Sequence, residues 1–385
     1  MLFCLQKINS MKIAVNTRLL IKDKLEGIGW FTYETMRRIT KNHPEHQFYF
    51  LFDRKPDPHF IFSQNITPIV LNPQARHPFL WYIWFEISVH RFLKRNSIDL
   101  FVSPDGFIPL KSKIPSVNVI HDINFQHYPK GIPLLTRHYY KHFFPRYAKK
   151  ATKIVTVSQY SKNDICKSFN VPPNKITVAY NGANLTYTPV AINEMQQCRN
   201  EITNGKPYFV FVGALNPRKN IPRLIDAFGL FLKTSSLDFY MVIVGKPMFL
   251  NKDIENALTR LEERSRVVFT GRLPVNKLRE VLGSACALTY IPYFEGFGIP
   301  LVEAMRCHIP IIASNKTSIP EVVGDAAYLV DPFNITSVAN AMHQVATNSE
   351  LQRTLSAKSA KRKELFSWNK TAEILYQTMS KIIET

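Results

Sequence analysis

Two glutamates, Glu295 and Glu303, stand with seven residues between them in the stretch EGFGIPLVE. A carboxylate has two acceptor oxygens and suits a pair of vicinal hydroxyls. Between the two lie Gly296, Phe297, Gly298, Ile299 and Pro300. The glycines let backbone N–H groups approach a ligand closely, and Pro300 suits a helix's first turn. Glu303 is expected in that first turn, with Glu295 left on the loop. A second stretch, FVGALNPRKNI, puts Arg218 and Lys219 between a strand ending at Gly213 and a helix beginning near Asn220. Two cations beside a helix N-terminus make a site for a diphosphate. Carboxylates flanking a phosphate site have the layout of hexose, diphosphate and ribose, that is, of a sugar nucleotide. The plainer alternatives are a pair of solvated loop cations and a Glu303 that only complements the helix dipole.

His121 follows the apolar strand SVNVI and precedes Asp122. The carboxyl end of a strand is where ligands are met in α/β sheets, and an imidazole there can handle a proton. The alternative is a hydrogen-bonded structural histidine. Asp122 either orients the imidazole or caps the following turn. No acidic D-x-D motif stands in a metal-binding context; Asp53 and Asp57 in DRKPD have the wrong spacing. The five cysteines are scattered without a C-x-x-C pair, which argues against a metal cluster and fits a reducing cytosol.

Short apolar strands alternating with helical segments must position these residues. In the first half KIAVNTRLL, HQFYFLF, ITPIVL, LFVSP, SVNVI, KIVTVS and ITVAYNG read as strands, with GIGWFTYETMRRI at helical spacing after the first. The second half repeats the pattern with YFVFVGA, FYMVIVG, VVFTG, CALTYIP and PIIAS, followed by three helical segments. This predicts an α/β protein with two doubly wound Rossmann-like domains, both built on parallel sheets, facing a central cleft. The boundaries expected are residues 1–190, a linker at 191–206 in the most polar stretch of the chain, and 207–385 with the terminal helices. Met11 opens the first strand, so translation can begin there as well as at Met1.

The formal charge of +20 is uneven. Residues 1–190 carry 26 Lys and Arg against 11 Asp and Glu, a net of +15, and the remainder 23 against 18, a net of +5. A basic half suggests an anionic partner: nucleic acid, a phospholipid surface or a phosphorylated substrate. No stretch is long and apolar enough to span a bilayer. LWYIWFEISVHRFLKR and RHYYKHFFPRYAKK mix aromatic rings with cations, as an anionic lipid interface requires. The first is expected in the core, because it is apolar almost all round; the second is expected at an interface, with Pro145 kinking it.

The chain resembles glycosyltransferase family 4, whose members have the two-domain GT-B fold. The resemblance rests on E-x7-E at Glu295 and Glu303, and on FVGALNPRKN, VIVGK, VVFTGRLP, SIPEVVGDAAYLVDP, GIGWFTYE, VIHDINFQHYP, VTVSQYS and YNG in order, from about Met11 to the last helices. Within the family it is most similar to bacterial mannosyltransferase-like enzymes of surface polysaccharide assembly. The resemblance implies a retaining hexosyltransferase, with GDP-mannose as donor and a saccharide or lipid-linked oligosaccharide as acceptor. With no D-x-D motif, Arg218 and Lys219 are expected to replace a metal, and no cofactor is expected; the resemblance implies a cytoplasmic place at the inner membrane face. It also implies residue roles. Glu295 contacts the donor hexose, and the amides of Gly296, Phe297, Gly298 and Ile299 hold sugar and phosphate. Glu303 takes the ribose hydroxyls, and Arg218 and Lys219 the leaving diphosphate after Gly213. Gly27 and Gly29 let a loop approach the phosphates. His121 lies near the reacting carbon, and Gly271, Arg272 and Leu273 border the base. The chain departs from the family at Ala214, where many members carry arginine, at Glu26 before Gly27, and at Trp30. Competing readings are a sugar-nucleotide epimerase of the same fold and a non-catalytic basic protein that binds nucleic acid or acts as a scaffold. The RKN and E-x7-E spacing weighs against the first, and the absence of a nucleic-acid module against the second.

Overall fold

The computed structural model describes residues 10–129, 132–246 and 252–382. The choice between Met1 and Met11 as start concerns residues outside these. The chain forms two compact units, Met1–Asn181 with Trp368–Thr385, and Gly182–Ser367.

The first unit holds a seven-stranded sheet: β1 (Lys12–Asn16), β2 (Gln47–Phe52), β3 (Ile66–Val70), β4 (Leu100–Ser103), β5 (Ser116–Val119), β6 (Lys153–Thr156) and β7 (Ile176–Val178). Their spatial order is β3-β2-β1-β4-β5-β6-β7, and each neighbouring pair is parallel. The second unit holds β8 (Tyr208–Val212), β9 (Tyr240–Val244), β10 (Val267–Gly271), β11 (Ala287–Tyr290), β12 (Ile311–Ser314) and β13 (Tyr328–Val330), in the order β10-β9-β8-β11-β12-β13. These strands are also parallel. LFVS of β4, YFVFV of β8 and ALTY of β11 are buried at every residue. Helices on both faces of a parallel sheet demand this, so such strands read as unbroken apolar runs. The strand order reverses between β1 and β4 in one unit and between β8 and β11 in the other. A crevice for ligands opens at the carboxyl ends of the strands at such a point.

The division differs from the sequence expectation in two places. Residues 191–206 are no linker: Ile192–Thr203 is a helix of the second unit, with Cys198 and Thr203 buried. Its polar side is held by ion pairs, Arg279–Glu194 and Lys277–Glu201. A helix with one narrow buried face has the composition of a linker. The last helix, Trp368–Ser380, belongs to the first unit and packs on the helix Gly27–Asn42. Trp368 meets Phe31 edge to face at 6.3 Å, the Arg38 Nε donates to Asn369 at 2.6 Å, and His46 bonds the Tyr376 hydroxyl at 2.9 Å. These partners lie more than three hundred residues apart in sequence.

The aromatic segments are divided by burial. Trp84 and Phe85 are in the core, as expected, on a π-helical turn Trp84–Val89. The helix Leu134–Lys150 runs through Pro145, and its Tyr139, Phe144 and Tyr147 join the same core cluster. The aromatic rings of that segment are therefore core, contrary to the interface expectation. Its exposed residues include Leu134, Leu135, Lys141, Arg146, Lys149 and Lys150. Phe79 is 66% and Tyr82 37% exposed on the preceding helical segment.

Candidate active site

In the second unit the chain leaves β8 at Gly213, makes a short turn over Pro217–Lys219, and enters the helix Ile221–Ser235 through Asn220. Asn220 adopts a left-handed conformation, φ 63°, and its amide donates to the carbonyls of Ile291 and Pro332 at 3.2 and 2.7 Å. The turn is thereby tied to the loop after β11. The carbonyl of Arg218 accepts from the Tyr293 N–H at 3.1 Å, a second tie to the same loop.

That loop carries Glu295, and the three charged groups meet at the strand-order reversal between β8 and β11. Arg218 Nη1 donates to Glu295 Oε1 at 2.6 Å and to the Phe294 carbonyl at 3.1 Å. Lys219 Nζ pairs with the same Oε1 and donates to the Tyr290 hydroxyl, sitting 4.9 Å from the Tyr290 ring centre. Lys219 and Glu295 are 7% and 6% exposed, so Lys219 is no solvated loop cation, whereas the Arg218 side chain is half-buried. Burial works to raise the Glu295 pKa, but Arg218 and Lys219 overcome it and hold the carboxyl at about 2. The Glu295 main chain is anchored too: its N–H donates to Thr317 Oγ1 at 3.2 Å, and its carbonyl accepts from Ser318 at 2.9 Å. Arg218 thus supplies a cation where Ala214 carries none.

Glu303 is the fifth residue of the helix Ile299–Arg306, one turn further in than expected. Its distance from the helix start weakens the dipole reading, since that effect falls off within the first turn. Burial raises its pKa to about 7, and the Tyr187 hydroxyl, bonded to it, works the other way. Glu295 and Glu303 both act on the buried Tyr290 hydroxyl, which burial first, and the carboxylates with it, keep protonated. The site therefore holds one carboxylate fixed as an anion and another poised to lose its proton near neutrality. Gly298 has φ +94°, and a Cβ there would lie 2.9 Å from Leu301 Cδ1, so the turn between the glutamates requires glycine.

The other expected residues fall as follows. Phe297 is buried and meets Phe366 edge to face at 5.6 Å, so its ring is core. Ile299 is half-buried; Gly271 has open space where a Cβ would stand, Arg272 is exposed and Leu273 half-buried. In the first unit Gly27 likewise faces open space, whereas a Cβ on Gly29 would lie 3.1 Å from the Leu19 carbonyl oxygen, so Gly29 serves packing. His121 is at the end of β5. Its Nε2 donates to the Pro104 carbonyl at 2.8 Å, and burial lowers its pKa. Asp122 accepts from the Asn124 N–H at 3.0 Å and so caps the turn. Asn220, Tyr187 and Tyr290 escaped the sequence reading, because each acts through a partner distant in the chain. His43, Glu45 and His46, after the helix Gly27–Asn42, are a trio of potential metal ligands whose donor atoms lie within 4.8 Å of one another.

Two Rossmann-like units, each built on a parallel sheet, give the chain the GT-B fold. The chain belongs to the glycosyltransferases: residues 25–187 match the model of Glycosyltransferase Family 4, and residues 193–362 that of Glycosyl transferases group 1. It is 25% identical over 270 residues to O-antigen chain mannosyltransferase B of Escherichia coli, covering 70% of this chain and 71% of that one. It is 27% identical over 289 residues to O-antigen chain mannosyltransferase RfbU of Salmonella typhimurium, covering 73% and 74%. Among solved structures it is similar to HepE of Anabaena in complex with UDP and glucose, with TM-score 0.74, 17% identity, and 96% and 99% of the two chains covered.

If Glu303 takes the ribose hydroxyls, its environment makes nucleotide binding depend on pH. Its folded pKa lies above the ordinary 4.5, so it binds a proton that the unfolded chain has already lost between these values. The stability this contributes is present below 4.5 and is lost as pH rises through about 7. Hydroxyl recognition runs the opposite way, because the carboxylate is the stronger acceptor. Nucleoside diphosphate affinity should therefore rise from pH 6 to 8 more in the native chain than in Glu303→Gln. Equal slopes in the two titrations would exclude Glu303 from the nucleotide site.

Proposed function

We propose that the chain is a retaining hexosyltransferase that takes mannose from GDP-mannose and adds it to a saccharide or lipid-linked saccharide of a cell-surface polysaccharide. The observation that carries this reading is the ion-paired Arg218–Lys219–Glu295 triad at the β8/β11 reversal. Cleavage of the sugar–phosphate bond builds negative charge on the diphosphate. Two cations already fixed in place stabilise it without reorganisation, which is usually the largest contribution to such catalysis. Both cations address Oε1 of Glu295; in this reading Oε2 accepts a hexose hydroxyl. Glu303 takes the ribose, and Arg218 and Lys219 act in place of a metal. The leaving phosphate assists a same-face displacement. The relatives' names support mannose and O-antigen, and the UDP and glucose of the Anabaena protein support a nucleotide-sugar donor. An epimerase or a non-catalytic basic binder is not favoured.

A thermal-shift panel of nucleotide sugars tests this. A ligand at about a hundred times its Kd adds roughly 2.7 kcal/mol of stability. GDP-mannose is expected to give the largest shift, and no shift with any nucleotide or nucleotide sugar would overturn the donor site.

Among the described residues no helix is long and apolar enough to cross a membrane. The reading includes peripheral contact of the basic first unit with an anionic membrane. It is supported by exposed Phe79, Leu134 and Leu135 with Lys141 and Arg146. Apolar side chains enter the headgroup boundary while cations meet the lipid charge. Co-sedimentation with anionic vesicles is expected and should fall roughly tenfold in Leu134→Glu. Equal recovery with zwitterionic vesicles would contradict it.

A further inference from the structure

The strand-order reversal of the first unit, between β1 and β4, is filled by the chain's own charges. Asn16 ends β1 and Ser103 ends the neighbouring β4. Asp105 lies just beyond, and its carboxylate gathers donors from both sides. Oδ1 accepts from Asn16 Nδ2 at 2.7 Å, from the Ser103 hydroxyl at 3.1 Å and from the Phe107 N–H at 3.3 Å. Oδ2 accepts from Arg18 Nε at 2.6 Å. Asp105 and Arg18 are each 8% exposed. The Arg18 guanidinium is itself held: Nη1 donates to the Ala75 carbonyl at 3.3 Å, and its centre lies 4.5 Å from the Phe107 ring and 5.5 Å from that of Phe85. A buried carboxylate with one cation and three further donors is rigid, since any movement leaves one of them unpaired.

This rigidity is passed to a short loop. Asp105 stands between Pro104 and Gly106. The Gly106 carbonyl accepts from Asn118 Nδ2 of β5 at 3.1 Å, and the Pro104 carbonyl accepts from His121 Nε2 at 2.8 Å. A carbonyl can only accept, so Nε2 carries a proton; in the neutral ring, which burial favours, Nδ1 is then the unprotonated nitrogen. Phe31 meets the ring edge to face at 4.9 Å and limits its rotation. The direction of one carbonyl therefore selects both the tautomer and the tilt of His121.

We propose that Asp105, paired with Arg18, is a positioning residue: it aims the Pro104 carbonyl so that His121 presents a bare Nδ1. Its part in turnover rests on the reading of His121 as the imidazole beside the donor sugar. Arrangements in which one nitrogen's bond decides what the other can do are general for histidine.

The test is Asp105→Asn, which keeps the shape and the Oδ1 acceptor but removes the charge facing Arg18. Where that variant does not accumulate folded, the pair Arg18→Gln with Asp105→Asn, which removes both charges, is measured in its place. Nitrogen-15 spectra of the histidine rings, with His121 assigned through His121→Ala, report the tautomer directly. In the native chain His121 should show a protonated Nε2 and a bare Nδ1; in the variant the two tautomers should mix. Turnover should fall roughly ten- to a hundred-fold, as for loss of an outer-shell partner. Binding of GDP, measured by calorimetry, should not change. If His121 keeps the native pattern in the variant, the proposal is wrong whatever the turnover. If the pattern changes and turnover does not, Asp105 positions His121 but the catalytic reading of His121 fails.

Discussion

Lys219→Ala should lower turnover by about two to three orders of magnitude, the range found when one preorganised transition-state donor is lost. Arg218→Ala should do the same. Their stabilities should differ. As solvated loop cations, both could be lost with hardly any effect on folding. The structure places Lys219 in the interior, bonded to Glu295 and Tyr290 and set against the Tyr290 ring, whereas the Arg218 side chain keeps 25% exposure. Truncating Lys219 leaves a cavity and a hydroxyl and a carboxylate short of a donor, at a cost of about 1–3 kcal/mol. Arg218→Ala should cost less than about 1 kcal/mol, because solvent reaches it. Steady-state rates and thermal melts of the two variants would show this pattern. Activity within threefold of the native chain in both would exclude them from the reaction.

The second large effect separates the two glutamates. Glu295→Gln leaves Arg218 and Lys219 facing a neutral amide in a buried place, and breaking such a pair typically costs about 3–5 kcal/mol. The same interaction has a pH signature. The folded pKa of Glu295, about 2, lies below the ordinary 4.5. Its stabilisation, about 3 kcal/mol by linkage, is therefore present above 4.5 and lost as pH falls toward 2. Acid unfolding of Glu295→Gln should lack this loss. Its affinity for free nucleotide should not fall, because that ligand carries no hexose for Glu295 to contact, and Arg218 and Lys219, relieved of the carboxylate, keep their charge for the diphosphate. Glu303→Gln should instead bind free nucleoside diphosphate more weakly, roughly tenfold for one lost hydroxyl contact, with little loss of stability. Calorimetry with GDP distinguishes them, and equal weakening by both variants would refute the order of hexose, phosphate and ribose along EGFGIPLVE.

Much of this was legible in the sequence because parallel sheets covered on both faces write themselves as short apolar runs. YFVFV and ALTY could be placed as strands, and the charged residues then fell at their carboxyl ends. What stayed hidden is what depends on distant pairing. Nothing in NLTYTP marks Tyr187 as the partner of Glu303, and nothing in SPDG shows that Asp105 gathers Arg18, Asn16 and Ser103. The helix Ile192–Thr203 looked like a linker because most of its surface meets water. The helix Trp368–Ser380 was assigned to the second domain by its place in the chain, whereas Trp368 and Tyr376 pack on the first. Lys219 stands in a loop motif that does not reveal its burial, because burial is a property of the surroundings and not of the motif.

The central claim is that fixed cations at Arg218 and Lys219 expel the diphosphate of a nucleotide sugar without help from a metal. Release of GDP from GDP-mannose, followed with an excess of chelator, tests it most directly. The native chain should release GDP at the same rate with and without chelator, and Lys219→Ala should release it at least about a hundredfold more slowly. Abolition of GDP release by chelator, or an unchanged rate in Lys219→Ala, would contradict the account.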